Sequence, residues 1–315
     1  MLLIVVESGG SLMRQKTIGK AVSCSGVGLH RGGKVTMTLH PAPVNTGVVF
    51  VLKTERGRRF IQADPHKVHE TTLATGLTDG ESSIGTVEHV LAALKGSDVD
   101  NVHIEVDSNE VPIMDGSAAS FVYLLQQAGF VRQQAKKRVY SLKKPVELGK
   151  DGKQISAYPG AGLSVAYTID YDHPFIGRQE YSFSLGEEAF FEELSKARTF
   201  AFLNDVEAMR SNGLALGGSL DNALVLDGAG VVNNDGMRYP DEPVRHKILD
   251  FLGDLALLPY PLTGHFHVYC SGHAMNNMFC RYLLAHESEL LECCEVEQER
   301  VREKRKAAAV PQTAG

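Results

Sequence analysis

His246, Asp250 and Asp254 recur at four-residue steps within PVRHKILDFLGDLALL, residues 243–258. On a helix of 3.6 residues per turn these three side chains stack along one face. An imidazole and a carboxylate one turn apart can take a single divalent cation, as paired i, i+4 ligands do in zinc hydrolases. The spacing is common, and alone it equally describes an acidic, solvated face with an incidental histidine. A second segment, TVEHVLAALKG at 86–96, adds Glu88 and His89 side by side. Adjacent helical residues point about 100° apart. A metal-bound His89 would therefore hold Glu88 near the metal without making it a ligand, as a general base acting on metal-activated water requires. Two imidazoles, one carboxylate and a free carboxylate base match a catalytic zinc site with three protein ligands and one open position.

The third reactive segment is SGHAMNN, 271–277. A glycine before His273, at the expected start of a helix, leaves that imidazole accessible. Protonated, it can stabilise an oxyanion or protonate a leaving amine. A helix N-terminus lowers a histidine pKa, so an acidic partner is needed to keep it charged, and Asp254 is the candidate. The plainer alternative is that His273 only hydrogen-bonds its own turn.

The elements that must carry these groups follow from periodicity. Val244, Ile248, Phe251, Leu252 and Leu255 form a core-facing stripe opposite the polar row, bracketed by Pro243 and Pro259. Lys247 flanks the row, and Gly253 leaves space beside it. Val87, Val90, Leu91 and Leu94 form the stripe of the 86–95 helix, with Thr86 as its expected N-cap. A further helix spans 117–128, and others are expected at 187–196 and 272–285. Strands are expected at 34–39, 48–53, 102–106, 139–148, 163–170 and 223–227. Gln133–Arg138 reads as a polar, basic linker, and Glu287–Lys306 as a charged helix. Strands and helices mixed within each half predict an α+β fold.

Composition narrows the function classes. The net charge is −6 and no dense basic patch precedes the extreme C-terminus, so nucleic acid is not an expected partner. Five cysteines without a CxxC pair read as a reduced, cytoplasmic protein. MLLIVV is too short to span a bilayer, so stable membrane insertion is not expected.

TVEH at 86–89, VPIMDGSAASF at 111–121, ARTF at 197–200, VRHKILDFLGDL at 244–255 and SGHAMNN at 271–277 carry a resemblance. So do GVGLH at 26–30 and PAPVNTGVVF at 41–50. In this order, from about Gln15 to about Leu284, the chain resembles the zinc-dependent UDP-3-O-acyl-N-acetylglucosamine deacetylases of lipid A biosynthesis. The resemblance implies two similar α+β domains, with helices packed between two sheets and the metal at the cleft. The expected divisions are 13–135, with the base and one zinc ligand, and 139–300, with two ligands; residues 1–12 and 307–315 are expected to be disordered.

The resemblance also implies Zn²⁺, or Fe²⁺ in its place, on His89, His246 and Asp250. Glu88 is then the base, and His273 oriented by Asp254 the partner acid. Thr199 helps hold the oxyanion, and Lys247 lies near the diphosphate. Tyr171 stacks on uracil with Asp170 beside it. Phe200 opens a segment to Gly218 that forms the acyl-chain passage; its composition alone reads as ordinary core helix. Two departures stand out: Ala201 where glycine is usual, and Cys270 where a basic residue is common. The expected substrate is a UDP-linked acylated amino sugar, acted on by a monomer. Two other readings remain at this point: a metallo-amidase or zinc peptidase with another substrate, and a silent sugar-nucleotide binder. Assays on acyl-UDP-sugar against peptides, and metal content, separate them.

Overall fold

The structure is a computed structural model describing residues 11–55 and 57–298. The expectations for residues 1–10 and for the tail beyond Gln298 lie outside the described residues. The fold is mixed α+β.

The first half is built on a five-stranded sheet in the order Val22–Val27, Lys34–Pro41, Val102–Val106, Val48–Thr54, Gly57–Gln62. All neighbours are antiparallel except Val102–Val106 against Val48–Thr54. That parallel pair needs a crossover, and the helix Glu88–Gly96 lies on it. Alternation sets the faces: Val35, Met37 and Leu39 are buried, whereas Thr36 between them is exposed. The second half carries a seven-stranded sheet centred on Leu262–Tyr269. Leu163–Asp170 runs parallel on one side of that strand. On the other side lie Lys153–Tyr158, antiparallel, and Tyr140 and Ser141 of Arg138–Leu142, parallel. Leu163, Val165, Tyr167 and Ile169 point inward from the strand beside it.

The helix Glu242–Leu255 joins the halves. It packs on Leu163–Asp170 from one side and on Glu88–Gly96 from another. Twelve of its fourteen residues are buried, among them His246, Asp250 and Asp254. The polar row is therefore an internal surface, and the solvated-face alternative fails. Gly253 sets the closeness of this contact. A Cβ there would stand 2.1 Å from the carbonyl oxygen of Glu88, so only glycine permits the approach.

Several expectations are corrected. Gln133–Arg138 is no linker: Phe130–Lys136 is a strand paired with Arg14–Ile18, and Arg138 opens the next strand. Lys137 between them is buried, its Nζ 2.6 Å from Asp98 and 2.7 Å from Asp100, so the basic composition marks an internal ion cluster. The 139–148 segment divides at Lys143–Pro145 into Arg138–Leu142 and Val146–Lys150, which pair with different neighbours. Among the described residues of the expected C-terminal helix, only Glu287–Leu290 is helical. Leu291–Glu295 instead completes the sheet against Arg138–Leu142, because an edge with unpaired backbone groups accepts it. Thr86 does not cap its helix: it adopts φ 57° and gives its hydroxyl to Glu110, 3.0 Å away. The 200–218 segment is a strand, Phe200–Phe202, followed by a helix, Leu203–Ser211, none of whose residues is buried. It is therefore not core.

Candidate metal centre and active site

The first turn of Glu88–Gly96 and the middle of Glu242–Leu255 face each other across the Gly253 contact. Their meeting brings His89, His246 and Asp250 together, with potential ligand atoms all within 4.8 Å of one another. Asp250 Oδ1 lies 3.3 Å from His246 Nε2 and 3.6 Å from His89 Nε2. The two imidazole rings meet edge to face with centroids 4.9 Å apart.

The surrounding groups suit a cation. His246 Nδ1 is 3.0 Å from the carbonyl of Ala197, so Nδ1–H donates there and leaves the Nε2 lone pair facing Asp250 and His89. Burial pushes the His246 pKa down to about 3, keeping the ring neutral as a ligand must be. Burial alone would raise the Asp250 carboxyl. Its neighbours His246 and Lys247 outweigh that and hold it well below the usual range, hence ionised. Asp250 Oδ2 accepts from Lys247 Nζ at 2.6 Å, whereas Asp250 Oδ1, aimed between the imidazoles, is buried without a hydrogen-bond partner. A buried, unpartnered carboxylate oxygen beside two imidazole nitrogens is a donor set that a divalent cation completes.

The candidate acid–base groups sit next to this set. His273 begins the helix His273–Ala285, and its Nδ1 is 2.9 Å from Asp254 Oδ2. Burial disfavours the imidazolium, but the Asp254 charge and hydrogen bond overcome it and raise the His273 pKa to about 9. Nδ1–H is thus committed to Asp254, and Nε2 lies 4.0 Å from Asp250 Oδ2. Glu88 is buried, and desolvation raises its carboxyl above the ordinary range.

Residues with no sequence signal tie these groups together. The backbone N–H of Thr75 donates to Glu88 Oε2 at 2.9 Å, and its hydroxyl donates to Asp254 Oδ1 at 2.6 Å. One threonine thus links Glu88 to Asp254, the carboxylate bonded to His273. Asn276 donates to Asp254 Oδ2 at 2.8 Å and accepts from Ser271 at 2.6 Å. Its place three residues after His273 in SGHAMNN was the available clue. Thr199 is held from the first half, its N–H donating to the Gly116 carbonyl at 2.8 Å. The same segment is gripped on its other side: Arg238 donates to Lys196 O at 3.0 Å and to Asp115 at 2.7 Å. The VPIMDG turn therefore positions both Thr199 and the carbonyl that orients His246.

Glu88, His89, Thr199, Phe200, His246, Lys247, Asp250 and His273 all line one cavity of about 510 Å³. Asp170, Tyr171 and Cys270 line it too. Asp254 sits behind His273. Tyr171 packs edge-on against Phe200 and Phe202, with centroids 5.7 and 5.5 Å away. Asp170 is exposed and 3.2 Å from the Tyr269 hydroxyl. Leu29, Leu73, Phe200, Ala201 and Met209 continue the wall into an adjoining, mostly apolar cavity of about 350 Å³ that Leu203, Val206 and Val225 also line.

Comparison with known proteins identifies the family. The family model described as UDP-3-O-acyl N-acetylglycosamine deacetylase matches residues 15–285. A UDP-3-O-acyl-N-acetylglucosamine deacetylase of Oleidesulfovibrio alaskensis is 54% identical over 291 residues, 92% of this chain and 95% of that protein. Its namesake in Nitratidesulfovibrio vulgaris is 53% identical over 284 residues, 90% and 92% of the two chains. That of Neisseria meningitidis serogroup C is 45% identical over 282 residues, 88% and 92%. The chain belongs to the UDP-3-O-acyl-N-acetylglucosamine deacetylase family.

Proposed function

We propose that this chain hydrolyses the N-acetyl group of UDP-3-O-[(3R)-3-hydroxyacyl]-N-acetylglucosamine, giving acetate and the free 2-amino sugar at the committed step of lipid A biosynthesis. The observation that carries the reading is Asp250 Oδ1, buried and unpartnered between the His89 and His246 rings. His89, His246 and Asp250 would hold the ion. When bound, zinc, or ferrous iron in its place, supplies a Lewis acid that polarises the amide carbonyl and makes water nucleophilic near neutral pH.

The chain's own residues do the rest. Glu88 accepts a proton from the attacking water as the C–O bond forms, its carboxylate steadied by the Thr75 N–H. The protonated His273 ring, fixed through Nδ1 by Asp254, presents Nε2–H to the negative charge developing on the carbonyl oxygen. The Thr199 hydroxyl, which makes no hydrogen bond to another described residue, adds a second donor. The C–N bond then breaks, and Glu88 carrying its proton and the His273 imidazolium are the two acids available to the departing nitrogen.

The adjoining apolar cavity, formed partly by the 200–218 segment, suits an acyl chain. Lys247, Tyr171, Asp170 and Phe200, which line the main cavity, are the contacts proposed for the UDP-sugar. The reading includes a cytoplasmic monomer with domains at 13–135 and 139–300. Among the described residues no helix is long and apolar enough to cross a membrane.

The test is acetate release from the acylated UDP-sugar and from UDP-N-acetylglucosamine lacking the acyl chain, before and after chelation. Activity that requires both the metal and the acyl chain is expected. Equal turnover of the two substrates would refute the acyl assignment, and full activity after verified metal removal would refute the metal-assisted reading.

A further inference from the structure

The helix Glu88–Gly96 has a cavity at each end. Its first turn faces the candidate metal site, and its last turn, with Lys95, lines a separate cavity of about 430 Å³ between the two halves; no residue lines both. The size suits a small ligand. Leu91, Leu94, Val99, Leu257, Pro259 and Tyr260 give it an apolar floor.

Nearly every polar group around this floor is already engaged. Gln15 donates to Asn45 at 2.8 Å, and Asn101 donates to Gln15 at 2.9 Å. Gln62 donates to the carbonyls of Thr46 and Val48 at 3.2 Å. Asp64 accepts from the His66 N–H at 2.7 Å. Asp100 accepts from the Lys16 N–H at 2.7 Å and from Lys137 Nζ at 2.7 Å. The acids are thus occupied, which argues against a cationic ligand. Two cations are not occupied. Lys95 has neither a hydrogen bond nor an ion pair among the described residues. Arg138 is exposed and, among the described residues, is engaged only by the Tyr260 ring, 5.1 Å from its guanidinium.

We propose that this cavity binds a small molecule with one anionic head, a carboxylate or a phosphate, held by Lys95 and Arg138, and a largely apolar body resting on Leu91, Leu94 and Tyr260. Lys95 is half-buried and has no partner, and a counter-anion in the cavity would offset its partial loss of hydration. The Lys95 pKa shows the strain: burial and then the nearby Lys137 push it down to about 8, against the attraction of Asp98 and Asp100. An anion must shift it back up, so binding takes up protons near pH 8 and weakens as the amine deprotonates. The other charged groups around Lys95 are Lys137, Asp98 and Asp100, with Arg138 and Asp64 on the cavity wall. Lys137 is shifted upward and keeps its charge through this window.

Benzoate and phenyl phosphate, titrated calorimetrically into the metal-loaded full chain, test the site and distinguish the two head groups. At least one is expected to bind, with affinity falling about tenfold or more between about pH 7 and about pH 10. Lys95→Met should weaken it at least about tenfold at neutral pH, while Lys95→Arg restores it and removes the pH dependence. Basal acetate release should be unchanged in both variants. Identical affinities in wild type, Lys95→Met and Arg138→Gln, or no binding of either probe below about 10 mM, would overturn the proposal. Should Lys95→Met fail to fold, mass spectrometry of the wild type decides: reductive methylation of Lys95 slows several-fold with bound probe if the site is real, and is unaffected if it is not.

Discussion

The helix Glu242–Leu255 carries two buried charge clusters that differ in one respect. At its start, Glu242 receives Arg198 Nε at 2.8 Å and Nη2 at 3.2 Å, the Arg198 N–H at 2.9 Å and the Arg238 N–H at 2.6 Å. Arg198 spends its remaining donors on Asp235 and the Gly236 carbonyl. Two turns on, Asp250 Oδ1, aimed between the His89 and His246 rings, is equally buried and has no partner. A buried polar group without a partner is expensive. The first cluster is complete as it stands and holds the chain together. The second is complete only with a ligand. Burial and charge alone do not separate structure from function here; unfilled hydrogen-bonding capacity does.

The largest contrast comes from cutting into each cluster. His246→Ala should abolish most bound metal and reduce acetate release more than about a hundredfold while the protein stays folded. Arg198→Met should do the reverse: it strands Glu242 in the core and costs about 3–5 kcal/mol of stability, with metal retained by the molecules that fold. Metal analysis beside denaturant unfolding reads both, and a swapped pattern would dissolve the comparison. Glu88→Gln comes next. It keeps shape and metal but cannot accept a proton, so turnover should fall on the order of 10²–10⁴. A loss below about tenfold would move the base role elsewhere.

The pH profile should be bell-shaped. Glu88, raised by burial, sets an acid limb above the usual carboxylate range, and His273 sets an alkaline limb at about 9. Asp254→Asn should move the alkaline limb toward lower pH, because the imidazolium loses its counter-charge. The same shift has a stability sign. The His273–Asp254 pair contributes fully below the unfolded histidine pKa of about 6.5 and is lost as pH rises through about 9. If both the Asp254→Asn and His273→Ala variants keep the wild-type alkaline limb, that limb belongs to another group. The smallest expected effect is that of Asp115→Asn. Its ion pair with Arg238 is partly exposed, so a kcat loss below about tenfold is expected, with KM and metal content little changed. A large loss of metal in this variant would show that the Ala197 carbonyl depends on it more than the geometry implies.

What was legible in the sequence follows the same division. His246, Asp250 and Asp254 were readable because a helix turns local spacing into a shared face. The strands at 34–39 and 163–170 were readable because burial alternates along them. Thr75 was not: it reaches Glu88 and Asp254 across 13 and 179 residues, and TTLATG carries no period that would single it out. The Ala197 carbonyl is a backbone atom and leaves no side-chain signature at all. Gln133–Arg138 misled because its charge is used inside the fold, where Lys137 meets Asp98 and Asp100. The exposed helix Leu203–Ser211 misled in the opposite sense, since its apolar residues line a cavity rather than a core.

The contact at Gly253 has a consequence for biosynthesis. It joins a helix that leaves the ribosome early to one that leaves late: His89 and His246 are 157 positions apart (246 − 89). At typical rates of about 5–20 residues per second, roughly 8 to 30 seconds separate their emergence. During that interval a nascent chain carries Glu88 and His89 but lacks the remaining ligands. On the proposed ligand set, metal loading cannot precede synthesis of His246 and Asp250, and pulse-labelled nascent chains stalled before residue 246 should hold none.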